Sequence, residues 1–483
     1  MSAELLGKNR TVALVTLGCS RNDVDSEELA GRLAEDGWIL TEDSESADIA
    51  LINTCGFIES AKKDSIDALL QAHQLKSDGK FRAVVAVGCM AERYGDELAK
   101  ALPEADGILG FDSYATISQS LGTILSGAKV ETHKPKDRRT LLPLAPAERR
   151  KSQNAVINDM SVQGISRNGQ GERVLRKRLD RSPYAPLKIA SGCDRRCSFC
   201  AIPSFRGSFL SRTPSEILSE AKWLVEQGVS ELFLVSENTT SYGKDLGDLM
   251  LLEKLLPEIS SLEGVERIRL SYLQPAEIRP SLLQAVISTE KVAPYFDISF
   301  QHASGTLLRR MRRFGDGEKF LHLLTQIRAL SPEAGIRSNF IVGFPGESEE
   351  EFSELLDFIS ESRLDAIGVF PYSDEEGTEA LNLSGKVSQD LIEERFQEAS
   401  RVAEATVNAR SLERIGEEIH VLIEDIDGDL VEGRAAHQGP EVDGSTRITR
   451  LTTDELKVIK VGQYIKAKVI ETDGVDLIAE KSA

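Results

Sequence analysis

The sequence predicts an α/β protein of three units: an N-terminal doubly wound parallel sheet, a central partial barrel of six parallel strands, and a small antiparallel barrel of OB-like type. Three observations predict this. Residues 11–110 repeat one unit three times, an apolar run closed by a Cys and followed by an amphipathic helical stretch. Six apolar runs alternate with helical stretches between Tyr184 and Ser373. From Arg414 to Glu480 short alternating runs are separated by Asp-Gly turns. Strand-helix alternation makes consecutive strands parallel, whereas short alternating runs joined by Asp-Gly make hairpins.

In the first unit the runs are 12–17, 48–53 and 83–87, ending in Leu17-Gly18-Cys19, Asn53-Thr54-Cys55 and Val87-Gly88-Cys89. Ligands of doubly wound sheets bind beyond the carboxyl ends of the strands. All three Cys fall at that edge, and strands about 4.8 Å apart let their thiols converge on one group. Packing of small buried thiols at strand ends is the other reading of the same pattern.

Periodicity then disappears. Between Glu148 and Arg181 nine Lys and Arg stand against four Asp and Glu, a net +5 inside a chain of net charge -20. Residues 147–183 are therefore expected to be a basic, disordered linker, its charge also suiting contact with RNA. The division expected is 1–146, 147–183, 184–411 and 412–483.

In the central unit the runs 187–190, 231–235, 267–271, 295–300, 338–342 and 365–370 are the six expected strands, the barrel remaining open on one side. Thr213-Pro214-Ser215-Glu216 is a capping box with Pro at the first helical position, and Ser348 with Glu351 makes a second. Active sites of such barrels lie at the carboxyl ends of the strands. There, after the first strand, comes Ser191-Gly192-Cys193-Asp194-Arg195-Arg196-Cys197-Ser198-Phe199-Cys200. Three thiols in a C-x3-C-x2-C loop suggest a metal site. Structural zinc wants four ligands, and no fourth Cys or nearby His completes the set. An iron-sulfur cluster tolerates the gap and gains an open iron. Gln301 and His302 follow the fourth strand, and Arg309, Arg310, Arg312 and Arg313 form a basic run that is ordinarily a solvated face but could receive a carboxylate.

Residues 386–412 read as a helix. In the last unit turns are expected at Asp427-Gly428, Asp443-Gly444 and Asp473-Gly474. From Leu412 to Ala483 nine Lys and Arg stand against sixteen Asp and Glu, a net -7. Such a surface repels a nucleic-acid backbone and suits a basic protein. No apolar run approaches the roughly 20 residues of a membrane span. Cytoplasmic location is expected, and with it free thiols instead of three disulfides.

The Cys193 loop, with Phe199 before its last Cys, resembles the signature of the radical S-adenosylmethionine enzymes. From Gly192 to Arg212 it resembles their methylthiotransferase branch, and Ile202-Pro203-Ser204-Phe205-Arg206-Gly207 is more similar to the enzymes that modify an aspartate of a small-subunit ribosomal protein than to those that modify tRNA. Leu17-Gly18-Cys19-Ser20-Arg21-Asn22, Asn53-Thr54-Cys55-Gly56-Phe57-Ile58 and Gly88-Cys89-Met90-Ala91-Glu92-Arg93 resemble that branch's motifs for a further cluster. Glu432-Gly433-Arg434 and Pro440-Glu441-Val442-Asp443-Gly444 resemble the TRAM domain that closes its chains. The insert is longer than the family's connection.

The resemblance implies two 4Fe-4S clusters, one on Cys193, Cys197 and Cys200 and one on Cys19, Cys55 and Cys89, with S-adenosylmethionine at the open iron of the first. Phe199, Gly343, Phe344 and Pro345 would border S-adenosylmethionine, and Glu237 would receive its ammonium. Ser236-Glu237-Asn238 stands where the family usually shows Gln-Asp, which leaves the roles of Glu237 and Asn238 open. The implied reaction is insertion of sulfur and a methyl group at the β-carbon of the aspartate through a 5′-deoxyadenosyl radical. Implied partners are a basic ribosomal protein, an electron donor and a sulfur source, with a monomeric enzyme and no membrane or tRNA. Methylthiolation of a modified tRNA adenosine is the alternative. A non-catalytic electron carrier would need fully Cys-ligated clusters, for which a fourth Cys is lacking in each triad.

Overall fold

A computed structural model describes residues 10–41, 47–141, 175–440 and 443–482. Glu441 and Val442, and residues 147–174 of the expected linker, lie outside the described residues.

The N-terminal sheet has five parallel strands in the order β2-β1-β3-β4-β5. They are β1 (Thr11–Thr16), β2 (Ile39–Leu40), β3 (Ile49–Thr54), β4 (Ala83–Val87) and β5 (Gly107–Ile108). The three central strands match the three apolar runs, and β3 and β4 are buried along their whole length, as expected of strands covered on both faces. The edge strands β2 and β5 have two residues each, too few to carry a periodic signal. One face packs Leu29 and Leu33 of the helix Ser20–Glu35 with Ile117 and Leu121 of the helix Ile117–Leu125. The other packs Leu69 and Leu98 from the helices Glu59–Ser77 and Gly88–Ala101.

The central unit contains β6 (Tyr184–Lys188), a short pair β7 (Ala190–Ser191) and β8 (Leu210–Ser211), then β9 (Glu231–Val235), β10 (Arg267–Leu270), β11 (Tyr295–Asp297), β12 (Gly335–Val342) and β13 (Ala366–Pro371). The six long strands form two parallel sheets, β10-β9-β6 and β11-β12-β13. Isolated parallel bridges Ile268↔Val292 and Leu273↔Ile298 connect the sheets between β10 and β11, and one core fills both. Both predicted capping boxes form, at Thr213 with Glu216 and at Ser348 with Glu351.

The expected linker is corrected at its C-terminal end. Arg176 is buried, its guanidinium spanning Glu27 of the first unit at 2.5 Å and Glu220 of the central unit at 2.6 Å. The charge read as solvated is, from Leu175 onward, an interface cation paired with carboxylates.

The C-terminal unit is a closed barrel, β14-β15-β16-β18-β17, built from β14 (Glu418–Asp427), β15 (Leu430–Arg434), β16 (Thr446–Thr449), β17 (Tyr464–Asp473) and β18 (Asp476–Lys481). Asp427-Gly428 and Asp473-Gly474 turn its two hairpins as expected. Four of its pairings are antiparallel, but β16 and β18 run parallel. A ring of five strands cannot alternate direction all the way round, so one parallel seam is unavoidable. This barrel covers the amino ends of the central strands. Glu231, at the start of β9, is fully buried among Arg269 at 3.0 Å, Arg267 at 3.2 Å and Arg434 at 3.2 Å. Burial pushes its carboxyl up, yet Arg269, Arg434 and Arg267 outweigh that and hold it below the ordinary range. Arg267 also donates to the His420 carbonyl at 2.8 Å, and Arg337 pairs with Asp443 at 3.3 Å.

Candidate active site

Adjacency of β1, β3 and β4 brings together the turns that carry the N-terminal thiols. Cys19 caps the helix Ser20–Glu35, Cys55 follows β3, and Cys89 opens the helix Gly88–Ala101. Two helix N-termini therefore point at this edge, which favours thiolate and cluster charge. Gly18 has φ +105, and a Cβ there would lie 2.9 Å from that of Cys55, so only glycine permits the approach of the first two turns. Asn22 ties the turns together. Its amide donates to the Leu17 carbonyl at 2.7 Å and the Thr54 carbonyl at 3.4 Å, and its oxygen accepts from Arg206 at 2.8 Å and from the Cys89 thiol at 3.5 Å.

The second triad is held by the turn after β7. Gly192 has φ +79, and a Cβ there would meet the Ser208 carbonyl at 2.3 Å. Ser198 anchors the loop to the central unit: its N–H donates to the Met311 carbonyl at 3.1 Å, its hydroxyl to the Arg310 carbonyl at 2.9 Å, and its carbonyl accepts from Ala380 at 2.8 Å. Arg195 pairs with Glu277 at 2.5 Å, and Asn238 donates to the same carboxylate at 2.8 Å. Asn238 thus steadies the loop from outside. Cys193, Cys197 and Cys200 line a cavity of about 910 Å³ together with Arg196, Lys244 and Arg312.

Among the described residues no group of three His, Cys, Asp or Glu could hold a single metal ion. Three thiols in each triad, one short of the four that close a structural zinc site, are a donor set that a cluster with an open iron can use. Burial pushes Cys89 and Cys200 up to about 12 and also raises Cys55 and Cys193. Burial acts the same way on Cys19, but Arg21 and Arg206 outweigh it and hold that thiol below its ordinary value. Metal binding would therefore displace protons from most of the set.

Between the triads lie Arg21, Glu237 and Arg206. Arg21 donates to the Cys19 sulfur at 3.4 Å, stands over the Tyr272 ring at 4.7 Å and lies 3.8 Å from Glu237. Arg206 lies 3.6 Å from the same carboxylate. Glu237 is buried and neither of its oxygens accepts a hydrogen bond from the described residues. Its charge is met by these two guanidiniums, while its oxygens keep their capacity to accept hydrogen bonds.

The other predicted residues separate. Phe199 is half-buried against the central core beside Cys200. Gly343, Phe344 and Pro345 are buried and do not line the cavity. Gly343 has φ +77 and packs on Ile392, where a Cβ would approach to 2.4 Å, and Phe344 meets the Tyr372 ring edge-on at 5.3 Å. Gln301 adopts φ +73 beside Phe340. His302 is fully buried between Glu347, at 3.1 Å, and the Ser304 N–H, at 3.0 Å, a packing role. The basic run divides: Arg309, Arg310 and Arg312 are exposed, whereas Arg313 is buried with a nitrogen 3.7 Å from the Cys197 sulfur. Sequence reasoning named no role for Arg21, Asn22 or Arg206, although each stands inside a quoted motif.

Three family models match the chain: the uncharacterized protein family UPF0004 over residues 11–110, the radical SAM superfamily over 187–359, and the TRAM domain over 415–481. Ribosomal protein uS12 methylthiotransferase RimO of Streptomyces coelicolor is 59% identical over 483 residues, covering 98% of this chain and 97% of its own. The protein of the same name from Kineococcus radiotolerans is 58% identical, covering 98% of each chain. Among solved structures, the radical S-adenosylmethionine methyltransferase TsrM from Kitasatospora setae has a TM-score of 0.51 at 14% identity, covering 75% of this chain and 74% of its own, a likeness of fold.

Proposed function

Because the chain belongs to the radical SAM family of ribosomal protein uS12 methylthiotransferases, we propose that it is the enzyme that adds a methylthio group at the β-carbon of an aspartate in that protein. The observation that carries the reading is the pairing of two three-thiol sites across Arg21, Glu237 and Arg206. When bound, a 4Fe-4S cluster on each triad and S-adenosylmethionine supply reductive carbon-sulfur cleavage, a radical able to abstract hydrogen from an unactivated carbon, and the sulfur.

The chain's own residues do the positioning. Cys193, Cys197 and Cys200 would hold one cluster and Cys19, Cys55 and Cys89 the other. Glu237, flanked by Arg21 and Arg206 but accepting no hydrogen bond among the described residues, would receive the ammonium of S-adenosylmethionine, and Phe199 backs the loop apolarly. Gly343, Phe344 and Pro345 would act at one remove, by shaping the carboxyl end of β12. The units 1–146, 184–411 and 412–483 divide the labour of second cluster, radical chemistry and substrate contact. No helix of the described residues is long and apolar enough to cross a membrane.

Replacing Cys193, Cys197 and Cys200 together by Ala is expected to abolish S-adenosylmethionine cleavage and leave about half the iron. Replacing Cys19, Cys55 and Cys89 is expected to spare cleavage and abolish the methylthio product, read as the mass of purified uS12 after incubation with sulfide, reductant and S-adenosylmethionine. Product from the second variant, or near-complete iron loss from the first, would sink the two-cluster reading. Methylthiolated tRNA with unmodified uS12 would sink the substrate.

A further inference from the structure

We infer that Arg206, which belongs to the unit of the Cys193 loop, sets the reduction potential of the group held by Cys19, Cys55 and Cys89. The inference rests on the proposed pair of clusters. Arg206 ends the helix Ile202–Arg206, which starts two residues after Cys200. Its side chain is 3% exposed. One nitrogen, Nη2, serves three acceptors of the other unit: the Cys89 sulfur at 3.0 Å, Asn22 Oδ1 at 2.8 Å and Asp25 Oδ2 at 3.1 Å. The other, Nη1, makes no hydrogen bond among the described residues and lies 3.6 Å from Glu237.

A strut between the units would not need the sulfur contact, because Lys188 already reaches Asp25 from the same side. What Arg206 adds is a charged N–H donor on a cluster ligand. Reduction adds negative charge to a cluster, and a buried cation with a hydrogen bond to a ligating sulfur stabilises that charge, raising the potential. Arg21 makes the corresponding contact with Cys19 at 3.4 Å.

The test is redox titration of the reconstituted full-length protein, followed by electron paramagnetic resonance. The signal lost in the Cys19, Cys55 and Cys89 to Ala variant identifies the cluster in question. In Arg206→Met that signal is expected to move to lower potential, in Arg206→Lys by less, because the charge remains and the fork is lost. If Arg206→Met is insoluble, Arg206→Lys and Arg21→Met decide, and each must shift the same signal downward. A loaded cluster at the wild-type potential in the soluble variants would overturn the inference, as would lower iron occupancy or stability without a shift. A triple Cys variant that keeps both signals would instead overturn the two-cluster reading.

Discussion

Glu28 shows how far burial governs single groups here. It lies at the seam between the first and central units, and burial, helped by Asp25 and Glu220 and opposed by Lys188, pushes its carboxyl up to about 7 from an ordinary 4.5. The folded state thus keeps a proton that the unfolded chain releases above pH 4.5. Stability from this group is fully present below that value and is lost as the pH rises toward 7, by on the order of 3 kcal/mol at most. Melting curves at pH 5 and pH 8 should show a larger fall in wild type than in Glu28→Gln, and equal falls would refute the assignment. The same burial explains what was legible at this scale. Cys193, Cys197 and Cys200 stand out by spacing, and Cys19, Cys55 and Cys89 by their place at strand ends, which the adjacency of β1, β3 and β4 brings to one edge. Arg21, Asn22 and Arg206 carry no such pattern, since one residue contacting another 117 positions away leaves no periodicity.

Elements of regular length were readable, and their exceptions have physical reasons. The strands β3, β4, β9 and β10 coincide with apolar runs because they are buried on both faces, the barrel strands β14 and β17 show as alternation because one face is exposed, and β2 and β5 are too short to signal. The parallel seam of the C-terminal barrel follows from counting strands, not from their residues. The segment from Leu175 was misread because a basic, aperiodic composition describes its charge but not its partners. Arg176→Ala is expected to cost toward the low end of ~3–5 kcal/mol, since Glu27 and Glu220 stay buried but retain Arg178 and Arg212. Replacing residues 147–172 by Gly and Ser at equal length should leave melting temperature and iron content unchanged, as the disordered-linker expectation requires. Unchanged melting in the first variant, or loss in the second, would reverse that division of roles.

At the scale of the whole molecule, the C-terminal barrel covers the amino ends of the central strands while the Cys193 loop lies at their carboxyl ends. On the proposed reading its acidic hairpin would meet substrate away from the thiols, as a hold on a basic protein. Asp425, Asp427 and Asp429 are exposed there, whereas Glu424 is paired with Arg434. Changing the three exposed residues to Lys should weaken uS12 binding, and raising salt should do the same to wild type. Binding indifferent to both would exclude this surface. The reach of Arg206 also bears on how the protein is born. A ribosome adds about 5–20 residues each second, and Arg206 follows Cys89 by 117 residues. A nascent chain thus displays its first three thiols for roughly 6–23 s before Arg206 exists, so the proposed cluster, if installed during translation, would lack its Arg206 contact, and on that reading its maturation would belong after the middle of the chain has been made.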